Sequence, residues 1–344
     1  MPRKVWFGLF QTLVTVTLLW AIAQQMDWAA MGRIVSAISP SFYLYSLAIL
    51  ASGQACYACR WYVVLRGLGI AIPLRRVVRY HLIGMLFTSV LPTAMGGDGA
   101  RLFYVGREQG YADAGASVVV DRLLGLLSFV VVATALSWWL QGGDWDRRDI
   151  RSTLALLCAG GAFGLACVLV MPLDRWLDGV WSPTGRIGQA IDVALQVVTR
   201  TRQVVRSPLV LGGALGLTLL NLVLVAAIYQ MFLVAADGVA PTVGELVLVL
   251  TLVSVFVNIP VSLNGIGLRE QLHIWLLGSV GVSTEAAVGV SVVMLLQLMA
   301  FSLIGLAVWV STGRRGNHPA EIGGALTAAD GVEPAVRTPN PLQR

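Results

Sequence analysis

Six charged residues stand inside or at the edge of long apolar stretches: Asp98 and Arg101, Asp121 and Arg122, Arg269 and Glu270. A lone charge at the centre of a bilayer costs about 2.5–3.5 kcal/mol by insertion scales, so such charges pair and mark substrate or gating sites. Asp98 and Arg101 are three apart and share a helix face, and an aspartate at that place also caps a helix start. Arg269 and Glu270 are adjacent, a quarter-turn apart, and are expected to find different partners. Asp121 and Arg122 precede the apolar run from Leu123. They belong either to the same charged site or to a helix start at the membrane boundary. The chemistry is anion handling: Arg101 and Arg269 offer fork-like donors to a phosphate, and Asp98 and Glu270 hold the arginines when the site is empty or meet a cationic headgroup.

Two of these sets follow one pattern, P-x-x-x-x-G-x-G-x-R. Pro92, Gly97, Gly99 and Arg101 match Pro260, Gly265, Gly267 and Arg269, with Gly96 adjoining the first set. Proline ends a helix by removing a donor and clashing with the preceding turn, and glycine adopts conformations closed to other residues. Broken backbone at membrane depth is tolerated only where protein buries it or it lines a watery cavity. Two broken hairpins entering from opposite faces are the pattern of inverted-repeat transporters, in which half-helix N-termini meet anionic groups. The competing reading makes each cluster a tight loop between complete short helices, with the arginines as interfacial anchors.

The elements that must position these residues are helices in a membrane. Of 344 residues 57% are hydrophobic and 12% charged, and the mean hydropathy is +0.77, against about 25% charged in a soluble domain. The expected architecture is all-α and polytopic, with about six full spans and two broken re-entrant hairpins arranged as an inverted repeat. The spans are Val5 to Ala23, Phe42 to Cys59, Leu123 to Leu140, Leu154 to Met171, Leu209 to Ala235 and Ala286 to Val310; the hairpins are Val77 to Gln109 and Gly244 to Gly281. Residues 1–312 form the membrane domain and 313–344 a disordered cytoplasmic tail. Val5 to Ala23 is longer than the roughly 7–15 residues of a signal-peptide core and is read as an uncleaved helix. Arg3 and Lys4, the run Arg60, Arg66, Arg75, Arg76 and Arg79, and Arg314 with Arg315 put both termini in the cytoplasm.

Composition excludes several chemistries. Lys4 is the one lysine, so a Walker phosphate loop and a Schiff-base lysine have no candidate in the membrane body. The net charge of +6 comes from loop arginines that set topology, so no nucleic-acid partner is expected. Cys56, Cys59, Cys158 and Cys167 read as packing residues, His81 and His273 as interhelical hydrogen-bonders, and Asn221 and Gln297 as helix contacts. No cofactor and no metal are expected. Trp6, Trp61, Trp138, Trp139 and Trp309 read as an interfacial belt.

Leu91-Pro92, Gly96-Gly97-Asp98 and Arg101, followed by Asp121-Arg122 and Gly125, then Pro260, Ser262, Gly265, Gly267 and Arg269-Glu270, together resemble the lysylphosphatidylglycerol synthase transmembrane-domain family of flippase-like membrane proteins, over roughly residues 5 to 312. The resemblance implies a bacterial or archaeal polytopic domain credited with moving a lipid across the membrane. In some members it is fused to a cytoplasmic aminoacyl-transferase that makes lysylphosphatidylglycerol. The polar tail of this chain is too short for such a fold.

The expected function is a lipid translocator in the cytoplasmic membrane, with a phospholipid or lipid-linked headgroup as partner and a charged midplane cavity as path. A separate lipid-modifying enzyme is a further candidate partner, and oligomeric state is open. One alternative is a transferase on a lipid-linked substrate, resting on Asp144-Trp145-Asp146 as a D-x-D metal site; another is a non-catalytic scaffold.

Overall fold

The computed structural model describes residues 3–90, 96–140, 195–196, 198–204, 206–258, 262 and 265–313. Pro92, Pro260, the expected span from Leu154 to Met171, the Asp144-Trp145-Asp146 loop and the tail from Gly316 lie outside the described residues. Among the described residues every regular element is a helix. In chain order these are α1 (Arg3–Gln25), α2 (Trp28–Ala37), α3 (Pro40–Gly67), α4 (Leu74–Val90), α5 (Gly96–Gln109), α6 (Tyr111–Trp139), α7 (Pro208–Asp237), α8 (Val243–Val257), α9 (Leu268–Gly278) and α10 (Thr284–Gly313). The protein is thus a polytopic helical membrane protein. Tyr111–Trp139, Pro208–Ala236 and Thr284–Thr312 are each long and apolar enough to cross a bilayer.

Two boundaries differ from the sequence reading. The expected spans stopped at Cys59 and began at Leu123, where charges interrupt the apolar run, but α3 continues to Gly67 and α6 starts at Tyr111. The extra turns are helical because they bury a second apolar core, made by Trp61, Val64, Leu65, Val77, Val105 and Val120 at the arginine-rich ends of these helices. Burial of that surface at about 25 cal/mol per Å² outweighs the interruption in hydropathy. Asp121 and Arg122 therefore sit in the interior of α6 and not at its start. Helix α2 was not anticipated; Asp27 caps it, its carboxylate accepting from the amides of Ala29 and Ala30.

Helices α4 and α5 form the first hairpin and α8 and α9 frame the second. At 1.5 Å per residue, α4 of 17 residues and α9 of 11 residues rise about 25 and 16 Å, short of a hydrocarbon core of about 30 Å. The first hairpin closes at its base, where Arg76 meets Glu108 at 3.0 Å and Tyr80 donates to the same carboxylate. Toward its tip the two helices touch through glycine: a Cβ on Gly97 would lie 2.7 Å from the carbonyl oxygen of Gly84.

Helix α10 serves as a ruler for both hairpins. The carbonyl of Leu82 lies against Gly305 so closely that a side chain there has no room, and Ser89, nearer the tip, hydrogen-bonds Ser302 at 2.6 Å. The first hairpin therefore enters beside the C-terminal end of α10 with its tip toward the middle. In the second, Glu270 at the start of α9 accepts from Ser291 at 3.0 Å, while the end of α9 turns directly into the start of α10 through the bond from Val282 N–H to the Leu277 carbonyl. The second hairpin enters from the other end, again tip inward.

Candidate functional site

The first charged set is built by five helices. Arg60 of α3 grips Asp121 of α6 through one edge of its guanidinium, Nε to Oδ1 at 2.9 Å and Nη2 to Oδ2 at 3.2 Å, and Nη1 donates to Thr218 of α7 at 3.2 Å. Arg60 is 7% exposed and Asp121 3%. Gly125, one turn beyond Asp121, makes room for this pair, since a Cβ there would fall 2.9 Å from Arg60 Nη1. Arg101 of α5 stands between two carboxylates, 3.7 Å from Asp121 and 3.8 Å from Asp98. Arg122 holds the other oxygen of Asp98. Three guanidinium groups and two carboxylates make a strong local field beside the first turn of α5. The exposed N–H groups of a helix start add to that field.

Arg101 is held unusually. Its Nη2 donates to His81 Nδ1 at 2.5 Å, its Nε is buried without a hydrogen-bond partner, and its plane lies 5.1 Å from the Trp61 ring. His81 Nε2 meets Gln54 Oε1 at 3.1 Å, and Tyr57 stacks on the imidazole. Arginine lies beside indole because its weakly hydrated plane is attracted to the ring face.

The second set is smaller and balanced. Arg269 reaches Glu270 Oε1 from Nη2 at 3.0 Å and from Nε at 3.2 Å. Glu270 Oε2 accepts the N–H of Gly267 at 2.7 Å, and Ser291 donates to Oε1. His273 donates from Nδ1 to the carbonyl of Arg269 at 2.7 Å, and Nε2 meets the Tyr229 hydroxyl at 2.9 Å. Gly265 and Gly267 have φ of +77° and +81°, the left-handed region that lets the chain enter α9 abruptly.

Several expectations are corrected. Arg269 and Glu270 pair with each other: Glu270 folds back to cap its own helix, and the long arginine follows it. Gly96, Gly97 and Gly99 lie within helix α5, so in the first break glycine serves close approach, as Gly97 does against Gly84, and not an unusual backbone. Trp61 is no interfacial residue but is 0% exposed, its Nε1 donating to Ser117 at 3.4 Å; Trp138 and Trp139 are exposed. Arg60, read as a loop marker, is the buried partner of Asp121. The signal for it was present: Gln54 and Arg60 interrupt an apolar stretch, and Trp61 to Leu65 separates Arg60 from the loop arginines.

The two sets lie beside different levels of α10. Arg101 faces Gly84 and His81, at the level where Leu82 crosses Gly305, whereas Glu270 meets Ser291. Those positions on α10 are fourteen residues apart, about 21 Å, near its two quarter points. The side chains of Arg101 and Arg269 are 16% and 20% exposed. The structure holds two buried charged sites, offset along one helix, each at the tip side of its hairpin.

The comparisons agree with this architecture. The family described as the lysylphosphatidylglycerol synthase TM region matches residues 8–307 of the chain, and the chain belongs to that family. No curated protein matches it.

Proposed function

From membership of this family as the premise, we propose that the protein is a lipid translocator of the bacterial cytoplasmic membrane, both termini cytoplasmic, passing a phospholipid or lipid-linked headgroup between leaflets. The observation that carries this reading is Arg101, largely buried at the start of a short helix, 3.7 and 3.8 Å from the carboxylates of Asp121 and Asp98, with its Nε unpartnered. The barrier to lipid transfer is the desolvation of a phosphate charge in hydrocarbon. Guanidinium groups and helix N–H groups already stripped of water lower it. Arg60 is fully engaged by Asp121 and acts as the fixed wall; Arg101, whose carboxylate contacts are longer at 3.7 and 3.8 Å and whose short bond is to the neutral His81 ring, is the group that turns to a phosphate.

The offset between the sets implies two stations. A headgroup reaches Arg101 from one face and Arg269 from the other, and each arginine returns to its carboxylate, Asp98 or Glu270, when the headgroup leaves. The acyl chains stay in lipid throughout. A lipid-modifying enzyme that supplies the headgroup is a fitting partner; nucleic acid is not.

The test is transbilayer movement in proteoliposomes containing fluorescent phosphatidylglycerol, followed by quenching of the outer leaflet. The protein accelerates loss of the protected fraction. Arg101→Ala slows it by about tenfold or more, the scale of a charge-assisted bond of about 1.5–3 kcal/mol. No acceleration with anionic, zwitterionic or cationic headgroups overturns the reading.

A further inference from the structure

We propose that His81 is the proton-binding group of the first site, so that an anionic headgroup and one proton bind there together. This rests on the translocator reading and names its coupling ion. The argument is one of hydrogen-bond polarity. A guanidinium has donors and no acceptor, so the bond from Arg101 Nη2 to His81 Nδ1 requires a lone pair on Nδ1. The other nitrogen, Nε2, then carries the hydrogen and donates to Gln54 Oε1. His81 is therefore neutral while Arg101 holds it, and a second proton has one place to go, Nδ1, which it reaches only when Arg101 leaves.

His273 shows the contrast. Its Nδ1 donates to the carbonyl of Arg269 and its Nε2 faces a hydroxyl that either donates or accepts. It takes a proton without breaking either contact, by reversing the Tyr229 bond. Of the two described histidines, only His81 is so placed that protonation and its bond to arginine exclude each other.

What the proton releases is specific. Nε and Nη2 form the edge with which arginine grips two oxygens at once, as Arg60 grips Asp121. In Arg101 that edge is split: Nη2 is on His81 and Nε is buried with no partner. Protonation of Nδ1 frees Nη2 and completes a two-pronged fork suited to the two non-bridging oxygens of a phosphodiester. The groups around the imidazole are Tyr57 and Arg60 from α3 and Arg101 from α5; Asp98 of α5 and Asp121 of α6 lie behind Arg101, and Arg122 of α6 behind Asp98. From α10 the sole charged residue is Glu285, which is turned to the Asp27 amide. Protonation of His81 adds one positive charge beside Arg101, and the phosphodiester monoanion offsets it. Binding of the anion thus takes up a proton, and affinity rises as pH falls.

The experiment uses the full chain in a neutral maltoside detergent with dihexanoyl-phosphatidylglycerol as probe. Titration calorimetry in buffers of different ionisation enthalpy counts protons, and nitrogen-15 histidine spectra report the protonation of the ring. The expected result is uptake of up to one proton per lipid, an affinity that rises by at most about tenfold per unit fall in pH, and conversion of one neutral Nε2–H histidine to imidazolium on binding. His81→Gln keeps an acceptor for Arg101 but cannot titrate, so its lipid binding no longer takes up a proton. Lipid binding by the wild-type protein without proton uptake, or uptake that persists in His81→Gln, overturns the coupling and leaves the translocator reading standing. No binding of this or any other phospholipid probe removes the translocator reading and the coupling with it.

Discussion

The buried pair of Arg60 and Asp121 fixes the geometry on which Arg101 depends. Breaking a buried ion pair by removing one partner costs about 3–5 kcal/mol, whereas replacing both with apolar groups is often neutral. Arg60→Leu should lower the thermal midpoint in detergent sharply, and Arg60→Leu with Asp121→Leu should recover most of it. Equal destabilisation of the single and double variants would contradict the pairing. Gly125→Ala places a methyl against Arg60 Nη1 and should cost about 1–3 kcal/mol as an overpacked contact does. Six of the seven charged residues of the two sets could be found from sequence as charges out of place in apolar surroundings, Arg60 being the exception, and the structure brings Asp98, Arg101, Asp121 and Arg122 together. What could not be read was which charge meets which: Asp121 finds Arg60, sixty-one positions away, and adjacent Arg269 and Glu270 find each other. Partner choice is decided by helix packing across the bundle, which leaves no local trace.

Among the elements, hydropathy located the three long apolar helices α6, α7 and α10, because their length follows from what a bilayer requires. It missed the arginine-rich ends of α3 and α6, whose turns bury an apolar face while carrying charge, and it missed α2, whose ten residues are too few to register as a span. The hairpin seating has a direct check: with the native cysteines replaced, Ser89→Cys and Ser302→Cys should form a disulfide on mild oxidation, since their hydroxyls are 2.6 Å apart. Failure to cross-link would dislodge the first hairpin from α10. Helix α2 carries a pH dependence of its own. The amides of Ala30 and then Ala29 hold the Asp27 carboxyl below its ordinary value of 3.8. A depressed carboxyl contributes stability in full above its unfolded value and loses it as pH falls through the folded one. Acid should therefore loosen α2, seen as faster amide exchange at Ala29 and Ala30, and Asp27→Ala should remove that acid step.

At the scale of the whole molecule, α10 is the common axis: one hairpin enters beside each end, and the charged sets sit near its quarter points. The sequence repeat anticipated opposed hairpins but not their offset, because equal motifs say nothing of depth. An arrangement with two stations makes their roles separable. Arg101→Ala should abolish headgroup capture on the side of the first hairpin and leave access at the second, and Arg269→Ala the reverse, as read by transport assays with labelled lipid supplied to one leaflet at a time. Identical loss from both leaflets in both variants would argue for a single shared pocket. The most direct test is the position of a bound phosphate. A structure of the full chain in nanodiscs rich in phosphatidylglycerol should place a lipid phosphate on the Nε and Nη2 edge of Arg101, with His81 released and Arg60 still on Asp121. A phosphate seated only at the membrane rims, with Arg101 still bound to His81, would contradict the account.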